Sequence, residues 1–186
     1  MSDAFRSSDE FDEQAHQLYN QARYDEAIEV LRDGLAVYPS SVELHVGMGY
    51  AFLAREDYAW AKGAFTGALV LEPDHEDALA GLGEVDLRMG DRAAALKAFD
   101  RVLTLGFQED HDLMLQIGRA LFREGLLAHA HRFFEWAASA EPECEEAAAC
   151  MGYASHRLGK DGAAIYWLRR ALAIDPTFAE PRIYLA

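Results

Sequence analysis

Cysteine, proline and basic charge are all scarce in this chain of 186 residues, and each shortage excludes something. The only cysteines are Cys144 and Cys150. They sit on a segment that reads as loop running into helix, and they read as reduced, partly buried thiols rather than a disulfide, which suits a cytoplasmic setting. Five prolines and 14 glycines leave no room for a Pro/Gly-rich linker. Lysine and arginine total 17 against 32 aspartates and glutamates, a formal charge of −15. That balance opposes wrapping on nucleic acid or lying on an anionic membrane. No stretch approaches the roughly 18 consecutive apolar residues of a membrane span. The N-terminal "MSDAFRSSDEFDE" is acidic and polar, without the apolar core of a secretory signal.

The motifs of catalysis and metal binding are missing too. Neither HExxH nor CxxC occurs, Gly81-Leu-Gly83 is not followed by a third glycine that would complete a phosphate loop, and there is no Gly-x-Ser-x-Gly elbow. His129 and His131 are two apart, on roughly opposite sides of a helix, a poor arrangement for a metal. The expectation is a non-enzymatic chain with no catalytic residue, no cofactor and no metal.

What the chain has is apolar content, 51%, arranged with a period. In "ARYDEAIEVLRDGLAVYP", Ala27, Ile28, Leu31 and Leu35 form one helical stripe. Small residues recur at the same turn, Ala27, Ala61, Ala95, Ala130 and Ala164, spaced about 34 residues apart. Four residues after each comes a large apolar side chain: Leu31, Phe65, Phe99, Phe134 and Leu168. Each such helix B is preceded by a second apolar-periodic segment, helix A, in which a large apolar residue stands before a glycine: Met48-Gly49, Leu82-Gly83, Ile117-Gly118, Met151-Gly152. The first repeat departs here, with Gln14-Ala15 in that place. A mid-helix glycine costs about 1 kcal/mol against alanine. Four in one register mark a close helix–helix approach. Expected helix pairs are 9–21/24–37, 42–55/58–71, 76–89/92–105, 111–124/127–140 and 145–158/161–174.

This pattern resembles the tetratricopeptide repeat family, a helix–turn–helix of about 34 residues. The second repeat carries the match in His45, Met48, Gly49, Phe52, Ala61, Phe65 and Pro73. The resemblance implies a right-handed all-α solenoid of five repeats. Its organisation is expected as an acidic leader over 1–7, flexible by composition, an array over 8–178 (repeats 8–41, 42–75, 76–110, 111–144 and 145–178), and the start of a truncated sixth helix over 179–186. The third repeat departs from the pattern, with Asp86 where an aromatic is expected and Gly106-Phe107 in place of the closing proline. A looser turn is expected there.

The resemblance also implies that the A helices line a concave face. One column of groove positions is Tyr19, Leu53, Leu87, Phe122 and His156, and a second is His16, Tyr50, Glu84, Arg119 and Tyr153. Leu53 and Leu87 are equally readable as core. Arg88, Arg123 and Arg157 recur near the ends of the A helices, where the helix dipole alone would favour them. Arg119 is mid-helix and has no such explanation. It is read either as part of a basic cluster suited to a carboxylate on a bound peptide, or as paired with Glu84 one repeat back. The expected function is a scaffold or adaptor binding a peptide or helix of a protein partner in the groove. Two alternatives stay open: a self-assembling module joined through an uncovered C-terminal edge (Ile165, Leu168 and Leu172), and a small acidic secretion-type chaperone of the same family. The positions of the chaperone-tail clamp known in the family hold Asp12, His16 and Met48, which do not match it.

Overall fold

A computed structural model describes residues 6–178, so most of the expected acidic leader and the whole of the expected sixth helix lie outside the described residues. Among the described residues there are ten α-helices, one short 3-10 turn and no strand. The helices are α1 (Ser8–Asn20), α2 (Tyr24–Val37), α3 (Val42–Ala54), α4 (Tyr58–Leu71), α5 (Glu76–Arg88), α6 (Arg92–Leu105), α7 (His111–Arg123), α8 (Leu127–Ala140), α9 (Glu145–Arg157) and α10 (Asp161–Ile174). Every expected helix boundary agrees to within one residue. The chain divides into two compact units, residues 1–102 and 103–186.

Local chemistry sets the helix ends. Each odd-numbered helix starts on a side-chain cap at one register: Ser7, Ser41, His75, Asp110 and Cys144. Such a cap satisfies a first-turn N–H that the helix itself leaves unpaired. Ser7 and Glu10 form a complete capping box. Cys144 does the same work for α9, its Sγ accepting from the Ala147 N–H at 3.4 Å. Helices α2, α4, α8 and α10 end two residues before Pro39, Pro73, Pro142 and Pro176. Where that proline is absent, α6 ends at Gly106 in the left-handed region (φ 94°), and the 3-10 turn Phe107–Glu109 follows. The expected looser turn is therefore a left-handed glycine and one turn of tighter helix.

In unit 1 the repeated small residues are where paired helices meet. A Cβ on Gly49 would lie 2.6 Å from the Phe65 ring, and one on Gly83 would lie 2.4 Å from Phe99. Ala61 and Ala95 are wholly buried. Phe65 also reaches the next odd helix, where a Cβ on Gly81 would stand 2.3 Å from its Cζ. Asp86 is 3% exposed, and Lys62 Nζ donates to its carboxylate at 2.6 Å. A buried carboxylate needs such a partner. The bond to Asp86 is the main influence holding the Lys62 pKa above its ordinary value. Arg55 bridges Asp25 and Asp57. On α4, Trp60 lies over Phe52 with ring centres 6.0 Å apart and is itself 70% exposed.

Unit 2 repeats the scheme. A Cβ on Gly118 would meet Phe134 at 2.5 Å, and one on Gly152 would meet Leu168 at 2.6 Å. Ala130 and Ala164 are buried. The close contact with Gly152 corrects one expectation about the last helix. Leu168 is core, whereas Ile165 is exposed and Leu172 is half-buried.

Candidate functional site

The residues expected to line the groove fall differently in the two units. In unit 1, Tyr19 is half-buried with its ring 5.3 Å from Tyr24. Burial raises its phenol pKa, and the Tyr24 and Glu84 side chains add to the shift. Tyr50 packs edge-on against Phe65, ring centres 5.0 Å apart, and its hydroxyl donates to the Asp77 carbonyl at 3.0 Å. Leu53 is half-buried on the cluster around Phe65. Leu87 is 2% exposed. That corrects its reading as a groove residue: the side chain is packed into the core between the helices. Arg88 is exposed at the end of α5.

In unit 2 the structure brings Arg119, Phe122, Arg123 and Tyr153 together around a concave cleft of about 250 Å³. Phe134 and Cys150 complete its lining. Three elements build it. One turn of α7 presents Arg119, Phe122 and Arg123 at i, i+3 and i+4, which share a helix face. α9 presents Cys150 and Tyr153 at i and i+3. Phe134 enters from α8, its ring centre 6.3 Å from that of Phe122. The Arg157 guanidinium lies 5.3 Å from the Phe122 ring centre, within cation–π range. His156 is exposed, with Nδ1 3.3 Å from Asp161 Oδ1.

The charges around the cleft are coupled. Arg119 is ion-paired with Glu146 on α9, the helix of the following repeat. Both partners are about half exposed, so the pair is exchangeable rather than locked into the core. Burial pushes the Cys150 thiol up to about 11, against the opposing pull of the Arg119 guanidinium. Cys150 is thus a neutral, poorly nucleophilic wall of the cleft. Both cysteines are free thiols.

Cys150 and Phe134 are the two lining residues that sequence reasoning missed. The signal for Cys150 was present: it shares the register of Gly47, Gly81 and Gln116, three positions before the column that includes Tyr50 and Arg119. Phe134 reads as core, and it is buried, yet one part of its ring forms the floor. Among the described residues no cluster of histidine, cysteine or carboxylate is arranged to hold a metal ion, and no helix is long and apolar enough to cross a membrane.

A family model described as a tetratricopeptide repeat matches residues 13–61, 47–104, 81–130 and 115–177. The cellulose synthase operon protein C of Escherichia coli is 35% identical over 88 residues, 47% of this chain and 7% of that protein. The chain thus spans less than a tenth of the length of the curated relatives it matches. Among solved structures, a thermophilic TPR protein of Thermus thermophilus superposes with a TM-score of 0.75 at 17% identity, covering 96% of each chain. YrrB, described as a TPR protein with an unusual peptide-binding site, superposes with a TM-score of 0.64 at 22% identity, covering 94% of this chain and 90% of its own. At these identities the structural likeness carries the fold, that of helical-repeat proteins.

Proposed function

This chain belongs to the tetratricopeptide repeat family, and from that premise we propose that it is a non-enzymatic scaffold or adaptor that holds a peptide or helical segment of a protein partner against its A helices. Proteins of the family generally mediate protein–protein interactions, and their fold typically serves as an interaction scaffold rather than an enzyme. The observation that carries the reading here is the cleft of unit 2, an apolar concavity of about 250 Å³ with arginines at its edge. Apolar walls with a few convergent polar groups are the general form of a recognition site. A mid-groove aromatic such as Phe122, fixed by packing but still accessible, is the kind of residue that anchors a partner. The peptide-binding description of YrrB supports the same class of ligand. The cytoplasmic setting belongs to this reading, supported by two free thiols.

The test is selection of displayed random peptides on the purified chain, followed by affinity measurements on wild type and Phe122→Ala. The reading expects convergent sequences whose affinity falls by roughly 30-fold in the variant, with helicity unchanged by circular dichroism. Peptides that bind both proteins equally would move the binding surface away from this cleft.

A second reading rests on α10, where Ile165 and Tyr166 are both exposed. Exposed large apolar side chains are the raw material of an association surface. Self-association through α10 would appear as a mass that rises with concentration in light scattering and falls back in Ile165→Glu. A constant monomer mass removes it.

A further inference from the structure

The cleft of unit 2 has a chemistry more specific than "peptide". We propose that it receives one large apolar side chain, aromatic or long aliphatic, from a protein segment whose flanking residues carry carboxylates. The inference rests on the groove-binding reading above and deepens it.

Size is the first argument. At about 250 Å³ the cleft falls short of the roughly 300–1,000 Å³ that encloses a whole small molecule. It suits a single bulky side chain inserted against Phe122, Phe134 and Tyr153. The rings at its wall and floor favour an aromatic or long aliphatic guest, which gains offset or edge contacts with them.

Charge is the second. The chain carries −15, yet the surroundings of the cleft hold Arg119, Arg123 and Arg157. A cationic guest would meet the two guanidinium groups that line the cleft, with a third beside Phe122. A purely apolar segment would strip water from them without replacing it, which costs affinity. Carboxylates beside the inserted side chain suit all three, since arginine binds a carboxylate through paired N–H donors. Arg157 stands over Phe122, and stacking of that kind uses the face of a guanidinium while its N–H donors lie in the plane. The remaining acidity of the chain acts at longer range and is screened over about 8 Å at physiological salt.

Glu146 is the third. It already occupies Arg119, as a guest carboxylate would. An arriving acidic segment therefore competes with a resident carboxylate, and removing that competitor should help binding rather than harm it.

The experiment uses the full chain and a pool of peptides with a central phenylalanine and randomised flanks. Captured flanks should be enriched in aspartate and glutamate. Enrichment should fall in Arg119→Gln and Arg123→Gln and rise in Glu146→Gln. For the best captured peptide, changing its acids to amides should weaken binding about tenfold on wild type, with a smaller loss on Arg123→Gln, the mark of a direct coupling. Circular dichroism on each variant checks that the helices persist. Flanks that are neutral or basic, or weaker capture by Glu146→Gln, overturn the inference. If that happens while Phe122→Ala still abolishes capture, the groove reading survives alone. If capture never depends on Phe122, both fall.

Discussion

Tyr50 in unit 1 and Arg119 in unit 2 occupy the same position of the repeat, and the difference between them decides what each unit presents. Tyr50 lays its ring against Phe65 and donates to the Asp77 carbonyl. Arg119 reaches Glu146, which is in register with Asp77, and pairs with its carboxylate. The helix in which each sits has the same length and the same cap position. One side chain fills the space above the core phenylalanine with a ring. The other spans past it, and a cleft floored by Phe134 lies beneath. A further difference lies one helix on. The residue facing the core phenylalanine is Gly81 in unit 1, pressed against the Phe65 ring, and Cys150 in unit 2, where a side chain is accommodated at the cleft wall. The backbone array is thus shared, and the two units differ in the side chains that fill two columns.

The comparison breaks most visibly at that second column. Gly81→Leu should destabilise the chain by about 3 kcal/mol, because its first carbon alone would stand 2.3 Å from Phe65 Cζ. Cys150→Leu should change stability by less than about 1 kcal/mol, since the added carbons enter the cleft. Urea unfolding of the two variants checks the pair, and equal costs would contradict the contrast.

Arg119→Tyr should make unit 2 like unit 1. The new ring is expected to pack on Phe134 and close the cleft, weakening any Phe122-dependent peptide by about 30-fold. Thermal stability should hold or rise, since an edge-on aromatic pair contributes about 0.5–1.5 kcal/mol. Peptide anisotropy and melting temperature together read the outcome.

Titration of Cys150 sharpens the difference at its wall. With the thiol pushed up to about 11, only about one molecule in a thousand carries the thiolate at pH 8. Alkylation of Cys150 should therefore be slow there and accelerate about tenfold per pH unit up to that value. Folding favours the neutral thiol, so its contribution to stability is complete below the ordinary thiol value of 9.0 and is lost as pH rises through about 11. Cys150→Ser should remove that part of the alkaline slope. Mass spectrometry resolved by peptide separates Cys150 from Cys144.

The smallest effect lies in the turns between paired helices. Unit 1 places Glu56 at φ 65°, whereas unit 2 places Gly125 at φ 73° at the equivalent position. Left-handed backbone strains a side-chain residue but not glycine. Glu56→Gly should stabilise by up to about 1 kcal/mol, and Gly125→Ala should destabilise by a similar amount. Opposite shifts in melting temperature are the expected result.

The helices were legible in the sequence because their causes are local. The 3.6-residue stripe and the prolines after α2, α4, α8 and α10 act within a few residues of themselves, as do the caps Ser7, Ser41 and Asp110, which only the structure identified. Glycines before Phe65, Phe99 and Phe134 announced the close approaches for the same reason: one register, repeated. The site was legible only as a set of columns. Arg119, Phe122, Arg123 and Tyr153 were named from the repeat spacing on the face that the family resemblance implied, and the structure gathers them at one cleft. Spacing alone did not separate Leu53, half-buried, from Leu87, which is closed off. Nor did it show that Arg119 pairs with Glu146, or that Cys144 caps a helix while Cys150 walls a cleft. Periodicity determines which face of its own helix a residue occupies. Whether that face is covered, paired or open depends on the volume and charge of side chains brought in from other helices, and that is settled only when the helices pack.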